Sequence, residues 1–278
     1  MTHVRSLTSF AAIFTMSLAA CASKNSSSSS QSTQPGEEVS QTESDTESLG
    51  TSFVGGTNGS LGVASFEPSS GGELHVQTGG TVGNPGWFFQ PAGCIQETKD
   101  AATSTNTYVF SDCTGPLGLV HLTGTITVNY QLSGNQLTLK FSASNFQINR
   151  ATITSWAATA VITANGDARD MTWNAQLSGT TGSGRAFQRT NQKDLKWTVG
   201  QACLAVSGQS TGNISGANLQ TTITNYQRCA DSCPQAGSEV TIKNLDNGDS
   251  IDIKYLGGPD ATVTINGKSE TVGLACGL

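Results

Sequence analysis

Charge is scarce in this chain. Charged residues fill 12% of its 278 positions, about half the roughly 25% usual in a soluble domain. The 14 Lys and Arg are outnumbered by 20 Asp and Glu, and they form no cluster. That balance excludes a nucleic-acid binder working through phosphate neutralisation. No apolar run approaches the ~20 residues that a spanning helix needs. No heptad repeat is present, which excludes a coiled coil. Glycine is abundant, at 32 residues, but it is aperiodic and so not collagen-like.

The N-terminus reads as an export signal. Met1-Thr2-His3-Val4-Arg5 is short and weakly basic, and Leu7 to Leu18 is apolar. That stretch is too short to span a bilayer and fits the apolar region of a signal peptide. It ends in Leu18-Ala19-Ala20-Cys21, which resembles the lipobox of bacterial lipoproteins. The resemblance covers about 21 residues. It implies diacylglycerol on the Cys21 thiol, cleavage before Cys21, and acylation of the new amine. Ala22 and Ser23 follow, with no Asp at the sorting position. In an envelope with an outer membrane, the resemblance implies delivery to that membrane. The lipid bilayer, reached through Cys21, is then one partner.

Residues 22–50 are dominated by Ser, Thr and five acids, Glu37, Glu38, Glu43, Asp45 and Glu47. Such a stretch buries too little surface to offset its ordering entropy, so it is expected to be disordered. As a flexible tether it would reach ~30 Å. The acids would hold the body away from an anionic membrane surface.

From residue 51 the composition turns to Thr, Val, Ile, Ser, Asn and Gly, and the period is two. Val120, Leu122, Ile126, Val128, Tyr130 and Leu132 alternate with polar residues, as a half-buried antiparallel strand requires. Ser133-Gly134-Asn135 is a turn. The following strand changes phase between Ala143 and Phe146, which predicts a bulge near Ser144-Asn145. Asn149-Arg150 and Asn165-Gly166-Asp167 are further turns. Met171, Trp173, Ala175 and Leu177 alternate, and Ser178 to Gly184 reads as a loop. A strand is expected from Leu195 to Val206, a loop over Ser207 to Gly216, and a strand over Leu219 to Tyr226.

The fold class is therefore all-β: an antiparallel up-and-down meander curled into a sandwich or open barrel. Four short strands, around Val240, Ile251, Val263 and Glu270, form a small C-terminal meander expected to pack on it. The chain divides into a signal peptide (1–20), a lipidated Cys with its tether (21–50), a main β domain (51–233) and the small meander (234–278).

Beyond Cys21 there are six cysteines: Cys94, Cys113, Cys203, Cys229, Cys233 and Cys276. An even number in an exported chain predicts disulfides. Cys94–Cys113 is the most economical pair, and closing that loop contributes about 3 kcal/mol. Cys203–Cys229 and Cys233–Cys276 are preferred for the rest. In a four-strand meander the last strand ends where the first began, so Cys276 can return to Cys233.

Several motifs have a functional and a structural reading. Gly208-Gln209-Ser210-Thr211-Gly212 matches a nucleophile elbow, but that motif needs a following helix and a His partner. Only His75 and His121 lie beyond the leader. Gly179 to Ala186 faintly echoes a phosphate loop, with Arg185 in place of Lys. Asp246, Asp249 and Asp252 cluster as calcium ligands can, without the spacing of an EF-hand. Trp87, Phe88 and Phe89 are the densest aromatic patch. They form either a partner-binding surface or a plug under the Cys94 loop.

No catalytic set, metal-ligand set or cofactor motif stands out. The leading expectation is an anchored, non-enzymatic binding or structural module for an envelope ligand or protein. One alternative is a hydrolase of envelope polymers, with Glu73, Glu97, Asp112, Asp167 and Asp170 as candidate carboxylates. The other is a lipid or small-molecule carrier with an apolar cup. For 51–278 the only likeness is to envelope lipoproteins without a known activity.

Overall fold

The computed structural model describes residues 89–115, 121–198, 201, 203–229 and 232–274, together with Thr46 and two short strands. Those two are β1 (Phe66–Pro68) and β2 (Leu74–Val76), paired antiparallel. Apart from the helical backbone at Thr46, every element among the described residues is a strand, and thirteen strands form a single sheet.

The sheet runs in chain order. It starts with β3 (Ile95–Asp100), β4 (Thr105–Thr114), β5 (His121–Ser133), β6 (Gln136–Ile148) and β7 (Ala151–Asn165). It continues with β8 (Ala168–Thr180), β9 (Ala186–Thr198), β10 (Cys203–Ile214) and β11 (Ala217–Cys229). The last four are β12 (Glu239–Asn244), β13 (Ser250–Tyr255), β14 (Asp260–Ile265) and β15 (Lys268–Gly273). Each strand pairs antiparallel with the next, and the sheet does not close into a barrel.

The alternation read from the sequence sets the two faces. Leu122, Ile126 and Val128 of β5 are buried, and so are Leu137, Leu139 and Phe141 of β6. Trp156 and Trp173 are 1% exposed and stack into one aromatic cluster with Phe141 and Phe146. Fully burying such a side chain stabilises by about 2–3 kcal/mol, so this cluster anchors β6–β8. Trp197 is half-buried at the edge of the core.

The phase change in β6 is a bulge. Ile126 faces Ala143, but Thr123 faces Gln147, and Asn145 has φ 53°. The extra residue returns Phe146 and Ile148 to the buried face, where both are fully covered.

Three expectations are corrected. Ser178 to Thr180 belongs to β8 rather than to a loop. The segment from Leu195 to Val206 is not one strand: β9 ends at Thr198 and β10 begins at Cys203. Ser207 to Ile214 is not a loop but the body of β10. The last of these has its cause in the sequence. The inward positions of β9 and β10 carry Arg189, Asn191, Lys193, Gly208, Ser210 and Gly212, which break the apolar alternation.

The C-terminal meander is present as four short strands. It joins the main sheet edge to edge, with Thr222 facing Thr241 and Ile223 facing Val240. Pairing along β11 satisfies backbone groups that would otherwise form an open edge.

Candidate functional site

Two faces of β6–β11 carry polar chemistry, and they differ in kind. On the exposed face, register aligns a row of side chains across six strands. Lys140 faces Thr159, Thr159 faces Asn174, and Asn174 faces Gln192. The row continues through Gln209 to Thr222. Beside it runs Ala157, Gln176, Thr190, Thr211 and Gln220. Neighbouring members sit about 4.8 Å apart, the strand spacing. Ala157 is small and its neighbours are long, so the face sinks into a shallow depression of about 540 Å³ over β6–β9. Its side-chain rim is almost wholly uncharged, with amides from Asn174, Gln176 and Gln192, hydroxyls from Thr159 and Thr190, and one cation, Lys140.

The buried face carries a polar stripe in the core. Arg189 is 2% exposed, Asn191 1%, Lys193 7% and Ser210 1%. Arg189 Nη1 donates to the carbonyl of Leu219 at 2.7 Å, and Nη2 donates to Thr221 Oγ1 at 3.3 Å. To do so the guanidinium crosses β10, where Gly212 faces Arg189. Lys193 faces Gly208 in the same way. A Cβ at Gly212 would lie 2.0 Å from the Gln188 carbonyl oxygen, and one at Gly208 would lie 2.6 Å from Lys193 Cα. Both glycines also have φ near +150°, a region that side chains disfavour. The motif Gly208–Gly212 is therefore mid-strand, with no turn or helix after it. Its glycines admit two cation-bearing residues, and its Ser210 points into the core.

A third polar cluster lies near the β3 edge. Asn106 Nδ2 donates to Glu97 Oε1 at 2.8 Å and to Tyr108 Oη at 3.1 Å. Tyr108 and Tyr130 share a hydrogen bond of 2.9 Å between their hydroxyls. Burial pushes both phenols upward, Tyr130 to about 12.

Two of the three preferred cysteine pairs are present. Cys94 is bonded to Cys113, and Cys203 to Cys229. The second pair closes the β10–β11 hairpin between residues directly opposite in register. Cys233 is disulfide-bonded as well; its expected partner Cys276 lies outside the described residues, as does Cys21.

Phe89 is 1% exposed and packs edge-on against Phe110 at 5.4 Å, beside the Cys94–Cys113 bridge. It is therefore not an exposed stacking residue, because the bridge draws this segment onto β4 through Gln90 and Thr114. Trp87 and Phe88 lie outside the described residues.

The other candidates are dispersed. Glu97 is held by Asn106 and Lys99 on β3, and Asp170 faces Lys196 at 3.5 Å on the exposed side of β8. Asp112 and Asp167 are exposed, and Glu73 lies outside the described residues. Asp246 accepts from the backbone and side-chain nitrogens of Asn218, which hold its carboxyl below the usual range. Asp249 accepts from Asn247 and Asn266, and Asp252 from Thr241. These three carboxylates brace different hairpins and face separate partners. His121 Nδ1 contacts Thr114 Oγ1, and His75 sits opposite Glu67 in β1–β2. Residues 181–185 form the β8–β9 connection, closed by bonds between Thr181 and Arg185 and between Gly184 and Thr181.

Comparison of the chain with protein-family models, with curated proteins and with solved structures finds no match.

Sequence reasoning missed both polar faces. The exposed rows were legible only as alternating polar residues, and their alignment depends on register. The buried stripe left a negative trace, a lost alternation over 186–194 and 207–214, which reads as loop without the neighbouring strands.

Proposed function

We propose that the protein is a lipid-anchored envelope protein whose sheet serves as a non-enzymatic binding module for a neutral, hydroxyl-rich polymer. Anchoring rests on the lipobox-like Leu18-Ala19-Ala20-Cys21. The disulfides within the sheet suit an oxidising compartment. The binding role rests on one observation, the depression over β6–β9. Amides and hydroxyls there are aligned, exposed and nearly free of charge. Such a surface offers donors and acceptors in equal measure to the hydroxyls of a neutral polysaccharide. It offers little to an anionic polymer, for which one Lys is a weak attractor. Strand-spaced rows present several parallel contacts, so that weak single bonds act together.

The test has two arms. Replacing Cys21 by Ser should abolish the lipid mass and release the protein from the membrane fraction. Unchanged mass and fractionation would end the anchoring part. Replacing Asn174, Gln176 and Gln192 together by Ala should lower retention on purified neutral envelope glycan at least about tenfold. The melting temperature should not change, because all three are exposed. No retention of the parent protein, or equal retention of the variant, would overturn the binding part.

A further inference from the structure

The polar row that crosses the exposed depression does not stop at its rim. Beyond Thr159, Asn174 and Gln192 it passes through Gln209 and Thr222 to Thr241 on β12. Followed outward in both directions, it runs from Asp100 on β3 to Ser269 on β15, one residue per strand, without an apolar member. The row next to it is broken by Val161 and Asp194.

The six residues from Thr159 to Thr241 are uncharged, with Lys140 before them and Asp252 after. At the strand spacing they cover about 24 Å. Thr241 Oγ1 donates to Asp252 at 2.8 Å, and its oxygen can still accept. None of the six is aromatic, so the row offers hydrogen bonds rather than a stacking platform.

What fits such a row is a neutral polymer whose hydroxyls recur at nearly the same interval, about 4.8 Å. Equatorially linked hexoses, as in cellulose, form an extended ribbon with a unit length close to that spacing, whereas axially linked glucans coil away from a straight row. We infer that the protein takes an extended, equatorially linked neutral glycan across its strands, with successive sugars seated along this row from β7 to β12. The inference rests on the binding role proposed above and deepens it. It makes β10 to β12 part of the binding face, although they lie beyond the depression over β6–β9. Each added sugar meets a further amide or hydroxyl, and weak single bonds sum along the chain.

Calorimetric titration of the full chain, disulfides intact, with cellobiose and cellopentaose tests it. Cellopentaose should bind at least about tenfold more tightly than cellobiose. Gln209→Val with Thr222→Val removes two polar side chains beyond the depression and keeps strand propensity. That variant should lose at least about fivefold in affinity for cellopentaose and less than about twofold for cellobiose, which Thr159, Asn174 and Gln192 still hold. Thr172→Val with Ser207→Val, on the broken neighbouring row, should change neither affinity. Equal affinities of the parent for the two sugars would overturn the inference. So would an unaltered cellopentaose affinity in the first variant, an equal loss for both sugars there, or the same loss in the control pair. Failure of both sugars to bind a protein that is retained on neutral envelope glycan would overturn it too, and leave the binding role standing. Absence of that retention would end the binding role and the inference with it.

Discussion

Arg189 on β9 reaches the carbonyl oxygen of Leu219 on β11 by passing over Gly212, the residue that faces it on the strand between. The contact links next-nearest strands through a gap that exists only because one residue has no Cβ. Gly208 repeats the arrangement beside Lys193. Together they place two cations inside a sheet whose other inward positions are mostly apolar.

A methyl group at residue 212 should therefore be costly. It would lie 2.0 Å from the Gln188 carbonyl oxygen and would demand a backbone conformation that alanine disfavours. Gly212→Ala should lower stability by at least about 2 kcal/mol in chemical denaturation. Gly258→Ala, where a Cβ meets nothing within 4 Å, should stay within about 0.5 kcal/mol of the parent. Similar values for the two would show that the crossing at Gly212 is not needed.

The Cys203–Cys229 bridge joins residues 26 apart and pins the open end of the β10–β11 hairpin. Replacing both by Ser should cost about 3 kcal/mol, chiefly by freeing the unfolded chain. Far-ultraviolet circular dichroism below the transition should be unchanged, because the strands pair over their whole length. Non-reducing peptide mapping of the parent should recover Cys94 with Cys113 and Cys203 with Cys229. Any other partner for these four would contradict the structure.

The chain has four tyrosines, and burial pushes all of them up: Tyr108, Tyr130, Tyr226 and Tyr255. In the unfolded chain a phenol ionises near pH 10. Above that pH the unfolded state releases protons that the folded state keeps, so unfolding is favoured as pH rises. The contribution of these groups is intact below about pH 10 and is lost as pH climbs through the raised values, about 12 for Tyr130. Tyrosinate absorbance should therefore appear in one step, together with the loss of the β signal in circular dichroism. A gradual rise near pH 10 with the sheet intact would show that these phenols are not buried.

Much of the fold was legible residue by residue. The alternation in β5 to β8, the turn at Asn149, the bulge at Asn145 and two cysteine pairings all rest on local chemistry. Period two, positive φ at asparagine and loop length are properties of short segments, and a sequence displays them directly. β9 and β10 were not legible, since their inward positions are Arg, Asn, Lys, Gly and Ser. Those residues are tolerated inside only because strands on both sides supply the pairing, the space and the hydrogen-bond acceptors.

The sequence by itself determined an all-β body, its turns and its cross-links, because each follows from neighbours along the chain. Only the tertiary structure decided that the last four strands extend the sheet rather than cap it. It alone decided which polar residues line up across six strands and which pass into the core. Those outcomes depend on register between strands, and register sums pairings over distances that no local pattern records.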